Sequence, residues 1–304
     1  MFRKIRGITK TYKMKNDKIL LVGANGNMGS KHLRVLTELK EKYGFQLKTC
    51  DIKGNTDFKD YKEAYKSFKP NKVIIATPTP THSELLQYFN GLVYSIFIEK
   101  PIVDDGSEDL YLLTKSKIMV GHIERYNPII EKIRELLNGK KITHVICLRC
   151  GLPQTKAEEN VVIDENIDKD LIIHDVDVVQ YITQHNKLIN DLKNLRTTIF
   201  TKITERNQSD LFTEINGVKC FFHADKTSPS KVRIIKVLGQ NYILEGDYIS
   251  QTLLLNGTPV EIEKKEPLKV ELETFIDEKF DKIALKDAIN NLKILNGKHI
   301  TYKQ

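Results

Sequence analysis

The chain has 304 residues, of which 40% are hydrophobic and 29% charged, and a net charge of +8. This composition is typical of a globular protein, and the length predicts two domains. No apolar run approaches the roughly 20 residues of a membrane-spanning helix. Because the basic residues are spread along the chain without an aromatic-interleaved patch, we expect neither a nucleic acid nor a membrane as partner.

Residues 1–16 are basic and lack the apolar stretch of a signal peptide. We therefore expect a cytoplasmic protein with a basic N-terminal extension over 1–16, a first domain over 17–122 and a second over 123–304. The pair Cys147 and Cys150 lies in a predicted strand, where positions i and i+3 face opposite sides. We expect no metal site there and no disulfide framework.

The first predicted strand, Ile19 to Val22, leads into a turn with glycines at positions 23, 26 and 29. A helix is predicted from Ser30 to Lys42. Such a turn brings main-chain N–H groups and a helix N-terminus to the pyrophosphate of a dinucleotide. The spacing is G-x-x-G-x-x-G instead of the usual G-x-G-x-x-G, and a tight turn without a ligand is the alternative. The predicted cofactor contacts here are Gly23, Asn25, Gly26, Asn27, Met28 and Gly29.

The second predicted strand, Phe45 to Asp51, ends in an acid about 20 residues after the last glycine, where a carboxylate binds the adenosine ribose. Its charge repels a 2′-phosphate, so Asp51 favours NAD over NADP. Lys53 follows closely and leaves NADP possible. The alternative is that Asp51 only begins a turn.

Strands and helices alternate up to Val120, which predicts a parallel sheet. Beyond it, consecutive strands are separated by turns such as Asn216-Gly217 and Asn256-Gly257, which favour hairpins. The predicted fold class is α/β: an N-terminal Rossmann doubly wound parallel sheet, followed by an α+β domain with a large, mainly antiparallel sheet.

Ligands of open α/β sheets bind at the carboxyl ends of the strands. The strand Lys72 to Ala76 leads into a stiff loop, 77–82, and a later strand leads into Glu99 and Lys100. The predicted cofactor contacts at these ends are Thr77, Pro78, Thr79, His82, Glu99 and Lys100. Partly desolvated beside a nicotinamide, Lys100 would release its proton more readily and assist removal of a hydroxyl proton. An exposed lysine at a strand end is the alternative.

A predicted helix near 169–184 carries Asp170, His174 and Asp177 at i, i+4 and i+7, which places them in one polar stripe. A carboxylate one turn away orients a histidine and raises its basicity, so His174 is a candidate acid/base with Asp170 as partner. A satisfied buried histidine, or a helix cap by Asp170, is the alternative.

Five motifs occur in one order: the glycine turn, Thr-Pro-Thr-Pro-Thr-His (77–82), Glu-Lys-Pro (99–101), Gly-His-Ile-Glu-Arg-Tyr-Asn-Pro (121–128) and Asp-x-x-x-His-Asp (170–175). In the order of these five motifs, the chain resembles the glucose–fructose oxidoreductase / inositol dehydrogenase / rhizopine catabolism family. The resemblance is greatest to its UDP-N-acetylglucosamine 3-dehydrogenase branch. The resemblance covers nearly the whole chain from Asp17.

The resemblance implies NAD(P)-dependent oxidation of a sugar hydroxyl to a ketone. The most specific expectation is the hydroxyl at C3 of a UDP-N-acetylhexosamine. It implies that Lys100 is the catalytic lysine, His174 the acid/base and Asp170 its partner, and that Arg125, Tyr126 and Asn127 bind substrate with Asp170 and His174. It also implies a homodimer or homotetramer that pairs through the C-terminal sheet. A free sugar or cyclitol substrate, or a dinucleotide-binding sensor without catalysis, are the alternatives.

Overall fold

The computed structural model describes residues 17–107, 109, 111, 114–152, 166–184, 198–205, 207–280 and 282–297. The predicted basic extension, residues 1–16, lies outside the described residues, as does part of the helix predicted over 108–115. Among the described residues, no helix is long and apolar enough to cross a lipid bilayer.

The N-terminal part is a five-stranded sheet with the order β2-β1-β3-β4-β5, and all its strand pairs are parallel. Its strands are Lys18–Val22 (β1), Gln46–Cys50 (β2), Lys72–Ile75 (β3), Ser95–Glu99 (β4) and Lys117–Gly121 (β5). The helices between them are Asn27–Tyr43 (α1), Tyr61–Phe68 (α2) and His82–Phe89 (α3). The strand order reverses at β1, because β2 lies on one side of it and β3 on the other. A ligand crevice is therefore expected at the carboxyl ends of β1 and β3.

The C-terminal part contains an eight-stranded sheet with the order β13-β12-β11-β10-β6-β9-β8-β7. Its strands are Ile142–Cys150 (β6), Thr198–Thr204 (β7), Gln208–Ile215 (β8), Val218–Asp225 (β9), Val232–Gly239 (β10), Ile243–Asp247 (β11), Thr252–Leu255 (β12) and Thr258–Val260 (β13). Only β6 and β9 pair in parallel; the other neighbours are antiparallel. The predicted fold class is therefore confirmed.

Two details of this sheet follow directly from the sequence. The turn residues Asn216 and Asn256 have φ of 54° and 51°, and the glycines after them also have positive φ. This is the type I′ hairpin that Asn-Gly favours. In β6, Cys147 is buried and Cys150 half-buried, and both are free thiols on opposite faces of the strand.

The later described residues include four further α-helices: Pro128–Leu136 (α4), Ile173–Gln184 (α5), Pro267–Ile276 (α6) and Lys282–Leu295 (α7). Helix α6 returns to the first sheet, where Leu272 and Phe275 share an apolar core with Ile19 and Leu36. Residues after 123 therefore do not all pack with the second sheet. The domain boundary between residues 122 and 123 stays a prediction.

Candidate active site

The glycine turn packs as its sequence predicts. Gly23 has a φ of 86°, and a Cβ on it would lie 2.6 Å from the carbonyl oxygen of Ala76. A Cβ on Gly29 would lie 1.8 Å from the carbonyl oxygen of Gly23, so only glycine fits where α1 packs against β1. Helix α1 begins at Asn27, three residues before the predicted start, with Gly26 as an N-cap that has no side-chain hydrogen bond.

This turn fits the pyrophosphate of a dinucleotide. No side chain caps the first N–H groups of α1, and these groups are the donors that bind phosphate at helix N-termini. The side chains around them are accessible: Asn25 and Asn27 are exposed and Met28 is half-buried. The predicted contacts of these residues with a cofactor stay predictions that the local geometry supports.

Asp51 follows β2 and lies beside the glycine turn. Its Oδ2 accepts a hydrogen bond from the main-chain N–H of Asn25, and its Oδ1 accepts one from that of Lys53, both at 2.9 Å. The second bond is a local turn, as the alternative interpretation predicted. The first bond places the carboxylate at the rim of the crevice, where a ribose would lie.

The loop after β3 lies against the glycine turn, since a Cβ on Gly23 would also come 2.9 Å from Cγ2 of Thr77. The predicted contacts on this loop differ in access: Thr77 is half-buried, Pro78 exposed, and Thr79 and His82 buried. Thr77 and Pro78 thus have the exposure that a cofactor contact requires, whereas Thr79 and His82 face the protein interior.

His82 connects two strand ends. Its Nε2 lies 2.9 Å from the carbonyl oxygen of Thr77, and its Nδ1 lies 2.9 Å from that of Pro101. Burial lowers the pKa of His82, so the ring is neutral and donates to one carbonyl at a time. His82 therefore fixes the loop after β3 to the segment that carries Lys100.

Glu99 ends β4 and is directed toward α1. Its Oε1 lies 2.6 Å from Nε2 of His32, and both residues are buried. Burial opposes ionisation, but the hydrogen bond from His32 lowers the pKa of Glu99. The observed partner of Glu99 is thus His32 in α1. The expected contact of Glu99 with the cofactor stays a prediction.

Lys100 lies at the carboxyl end of β4 and is bound to Asp170. Its Nζ donates to Oδ1 of Asp170 at 3.0 Å and to the main-chain oxygen of Asp170 at 2.8 Å. The other carboxylate oxygen of Asp170 lies 2.9 Å from Nζ of Lys226. Burial raises the pKa of Asp170, but the charges of Lys100 and Lys226 lower it to about 2. Asp170 is therefore ionised and orients Lys100.

His174 lies in the same region but is not paired with Asp170, because the helix is not regular. Residues Asp168–Ile172 form a π-helical turn, and its extra residue per turn disrupts the predicted i, i+4 stripe. Nδ1 of His174 has no hydrogen-bond partner among the described residues. The expected hydrogen bond between Asp170 and His174 is thus replaced by the bonds of Asp170 to two lysines.

The environment of His174 is cationic. Burial, reinforced by the charges of Lys100, Arg149 and Arg233, lowers the pKa of His174 well below 6.5. This lowering differs from the raised basicity that the sequence predicts, because Asp170 binds lysines instead of the histidine. The neutral imidazole can still accept a proton, and its predicted acid/base role stays a prediction. The three predicted catalytic residues, Lys100, Asp170 and His174, are brought together.

Asp177 and Arg125 form a separate buried pair. Nε and Nη2 of Arg125 donate to the two oxygens of Asp177 at 2.6 Å each, and Nη2 also donates to Asp287 at 3.0 Å. Arg125 is 6% exposed and Asp177 1%. The structure gives Arg125 a structural role, which does not support its predicted contact with substrate, and the partner of Asp177 is Arg125.

Asn127 and Tyr126 also have internal contacts. Oδ1 of Asn127 caps α4 by accepting from the N–H of Ile129, and its Nδ2 donates to the main-chain oxygen of Tyr248. Tyr126 is half-buried against the core that α1 and α6 share, and burial raises its pKa. Asn127 therefore acts as a helix cap, and substrate contact by Tyr126 stays a prediction.

Sequence reasoning missed a second charged cluster next to His174. Arg149 in β6 is 1% exposed and donates to both oxygens of Asp175, at 3.0 and 2.7 Å, and to Glu124 at 2.8 Å. Arg233 in β10 lies directly opposite Arg149. Two features of the sequence could have indicated this cluster. Arg149 lies at an inward position of a predicted strand, and Asp175 is adjacent to His174 in the predicted helix.

Comparison with known proteins identifies the N-terminal part. Residues 18–122 match the family described as "Oxidoreductase family, NAD-binding Rossmann fold", which is the Gfo/Idh/MocA model. Residues 18–122 of the chain are thus similar to the Gfo/Idh/MocA oxidoreductases. The predicted recognition and the predicted NAD-binding Rossmann fold are therefore confirmed.

Relatives in the Gfo/Idh/MocA family are distant. Inositol 2-dehydrogenase from Rhizobium meliloti is 30% identical over 117 residues, and the matched stretch spans 36% of this chain and 36% of that relative. The chain thus matches about a third of the length of this relative.

Two solved structures extend the likeness to nearly the whole chain. UDP-N-acetylglucosamine 3-dehydrogenase from Acidithiobacillus ferrooxidans has a TM-score of 0.68 and 18% identity, with 92% of this chain and 97% of that chain covered. An oxidoreductase from Agrobacterium radiobacter in complex with NAD+, L-tartaric acid and magnesium has a TM-score of 0.75 and 13% identity, with 94% and 98% covered. At such identities, the likeness shows a shared fold.

Proposed function

We propose that this protein is an NAD-dependent dehydrogenase that oxidises a hydroxyl group of a sugar or polyol to a ketone. The observation that supports it is the contact of Lys100 with Asp170, close to a neutral His174, at the carboxyl edge of the NAD-binding sheet. When bound, NAD+ supplies the hydride acceptor. The glycine turn would hold its pyrophosphate and Asp51 its adenosine ribose.

Each catalytic group has a distinct part in this proposal. The ammonium group of Lys100, oriented by Asp170, donates a hydrogen bond to the oxygen of the reacting hydroxyl. His174 accepts the hydroxyl proton while the hydride leaves the same carbon, so that a ketone and reduced cofactor form. A sensor without catalysis would have no need of an ion-paired lysine beside a neutral imidazole, which favours an enzyme.

The substrate proposal is finer than the family alone supports. Our first candidate is C3 of a UDP-N-acetylhexosamine, because the segment 121–128 and the residues around His174 resemble that branch and its structure shares the fold. A free sugar or a cyclitol is the second candidate, favoured by the 30% identity to an inositol 2-dehydrogenase. NAD is favoured over NADP by Asp51, with Lys53 leaving NADP open.

The test is formation of NADH or NADPH from a panel of UDP-sugars, free sugars and cyclitols. We expect Lys100→Met and His174→Ala to lower kcat by about 100-fold or more, as is typical when a general acid or base is removed. Lys48→Met, in an exposed ion pair on β2, is the matched control and should retain turnover. Full turnover by both site variants would contradict the proposal.

We also infer that the chain pairs with a second copy through the face of the second sheet that carries Phe212. Alternate residues of β8 and β9 stay partly exposed on that face, and Phe212 stacks on Phe221 with ring centroids 4.5 Å apart. The two rings border a cavity of about 550 Å³, whose lining in β6 and β9 also includes Ile146, His144 and Lys219. Exposed aromatic rings in a sheet face favour association between copies.

A further inference from the structure

Within the described part of the chain, Arg233 has one carboxylate at ion-pair distance, that of Glu124, and shares it with Arg149. In the antiparallel pair of β6 and β10 it lies directly opposite Arg149, and like charges in that position repel each other. Arg149 has two carboxylate partners, Asp175 and Glu124. The nearest carboxylate oxygen to Arg233 among the described residues is Oε1 of Glu124, at 3.6 Å, which is beyond hydrogen-bond distance and already bound by Arg149.

Two ion-pair clusters lie around His174, and together they hold more cations than carboxylates. Within the part of the chain that the structure describes, Lys100 and Lys226 share Asp170, whereas Arg149 and Arg233 contact Asp175 and Glu124. A bound NAD+ would add the positive charge of its nicotinamide. Because an excess of positive charge in a partly desolvated site is costly, a further anion at this place would stabilise the site.

The unbalanced cations are accessible from the site. The side chains of Arg233 and Lys226 are 29% and 18% exposed, whereas that of Arg149 is 1% exposed. Lys226 contacts Asp170, the residue that orients Lys100, and the charge of Arg233 acts on His174. Both cations therefore border the space in which the reacting hydroxyl is proposed to lie.

We propose that the substrate carries an acidic group, a carboxylate or a phosphate, and that Arg233 and Lys226 bind this group next to the hydroxyl that is oxidised. The proposal rests on the proposed dehydrogenase function. The guanidinium group presents a planar pair of N–H donors that matches two oxygens of either anion, and Lys226 adds a point charge. With an uncharged polyol, the carboxylate that Arg233 shares with Arg149 would be its only ion-pair partner among the described residues.

The first test compares acidic sugars with their uncharged parents on the NAD-loaded protein. The probes are glucuronate for a carboxylate, glucose 6-phosphate and UDP-N-acetylglucosamine for a phosphate, and glucose, N-acetylglucosamine and myo-inositol as uncharged compounds. We expect kcat/KM to be at least tenfold higher for one acidic class. The class preferred distinguishes a carboxylate from a phosphate, and equal kcat/KM for acidic and uncharged probes would overturn the proposal.

Variants test whether Arg233 carries this preference. Arg233→Gln should raise KM for the acidic substrate at least tenfold while changing kcat much less, and Arg233→Lys should restore part of the affinity. Lys236→Gln is the matched control, because Lys236 lies on the other face of β10 and pairs with Glu245 at 2.6 Å. An unchanged preference in Arg233→Gln would overturn the assignment.

A binding measurement separates this proposal from the dehydrogenase function itself. Inorganic sulfate should raise the melting temperature of the full chain with NAD present, and the rise should be lost in Arg233→Gln but kept in Lys236→Gln. That result without turnover of any probe would support the anion site and contradict the proposed reaction. Turnover of uncharged sugars, without a sulfate effect that depends on Arg233, would support the reaction and overturn the anion site.

Discussion

The ammonium group of Lys72, at the start of β3, donates a hydrogen bond to the main-chain oxygen of Ile276, at the end of α6, over 2.7 Å. The same ammonium lies 3.0 Å from Asp17 and 3.1 Å from Glu278, and its side chain is 0% exposed. A buried charge thus joins the beginning of the first sheet to a helix from the C-terminal part.

This contact predicts a large loss of stability in Lys72→Met. Two carboxylates would lose their buried counter-ion, and breaking such a pair costs about 3–5 kcal/mol. Urea unfolding followed by circular dichroism measures the change. Lys48→Met, which removes an exposed ion pair with Asp57, should cost less than about 1 kcal/mol. A similar small cost in Lys72→Met would show that α6 is held by its apolar contacts alone.

The glycine turn predicts that Gly29→Ala impairs both folding and cofactor binding. The added methyl would lie 1.8 Å from the carbonyl oxygen of Gly23, so α1 must move away from β1. We expect a loss of about 1–3 kcal/mol in unfolding free energy, as for overpacked cores, and at least tenfold weaker NADH binding by fluorescence. In Gly151→Ala the new methyl would lie 3.9 Å from its nearest neighbour, and this control should bind NADH normally.

The cationic surroundings of His174 predict where it titrates. Because burial and nearby positive charges lower its pKa well below 6.5, the imidazole is neutral at pH 7 and gains its proton only in more acidic solution. The ring-proton resonance of His174, assigned with His174→Ala, should move with a midpoint below pH 6.5. Arg233→Gln removes one of these charges and should move the midpoint to higher pH. A midpoint above 6.5 in the unmodified protein would contradict this description.

Glu271 in α6 predicts a dependence of stability on pH. It is 1% exposed, neither carboxyl oxygen has a hydrogen-bond partner among the described residues, and burial next to Glu99 raises its pKa well above 4.5. Above pH 4.5 the unfolded chain releases this proton while the native state retains it. The free energy of unfolding should therefore fall by about 1.4 kcal/mol per pH unit, until the native state also ionises.

Glu271→Gln removes that penalty, so it should stabilise the protein more at pH 7 than at pH 4 in urea unfolding. Glu273→Gln, two residues away in an ion pair with Lys42, is the control and should show no such difference. An equal effect of Glu271→Gln at both pH values would mean that burial does not raise the pKa of Glu271 in the native state.

The apolar sheet face predicts that Phe212→Glu yields monomers. Phe212 is 42% exposed, and a carboxylate there would be buried without a partner if a second copy covered the face. Light scattering coupled to size exclusion measures the change. Leu92→Glu, 45% exposed but located before β4, should leave the assembly intact. A monomeric parent protein would contradict the proposed pairing.

Much of the fold could be predicted from the sequence because local sequence signals and tertiary packing favour the same structure. The strand Lys72–Ile75 and the Asn216-Gly217 turn occur where the pattern predicts them, and Gly23 and Gly29 have the roles that their spacing indicates. In these segments, residue type alone determines the backbone conformation. Lys100 was predictable for the same reason, since a strand end fixes its position.

The errors arose where several elements meet. Nothing local shows that Asp168–Ile172 is π-helical, so Asp170 was paired with His174 instead of with Lys100 and Lys226. Arg125 was placed in the substrate pocket because its partners Asp177 and Asp287 are distant in sequence. Ion pairs of this kind depend on which faces pack together, and sequence periodicity does not contain that information.

The position of α6 has a consequence for synthesis of the chain. Ile276, which accepts the hydrogen bond of Lys72, follows it by 204 residues. While the nascent chain emerges from the ribosome, domains generally fold from the N-terminus onward. Here the Rossmann sheet stays without part of the apolar cover of Ile19 and Leu36 until almost the entire polypeptide has been translated. The Rossmann sheet therefore reaches its final stability only after most of the eight-stranded sheet has been made.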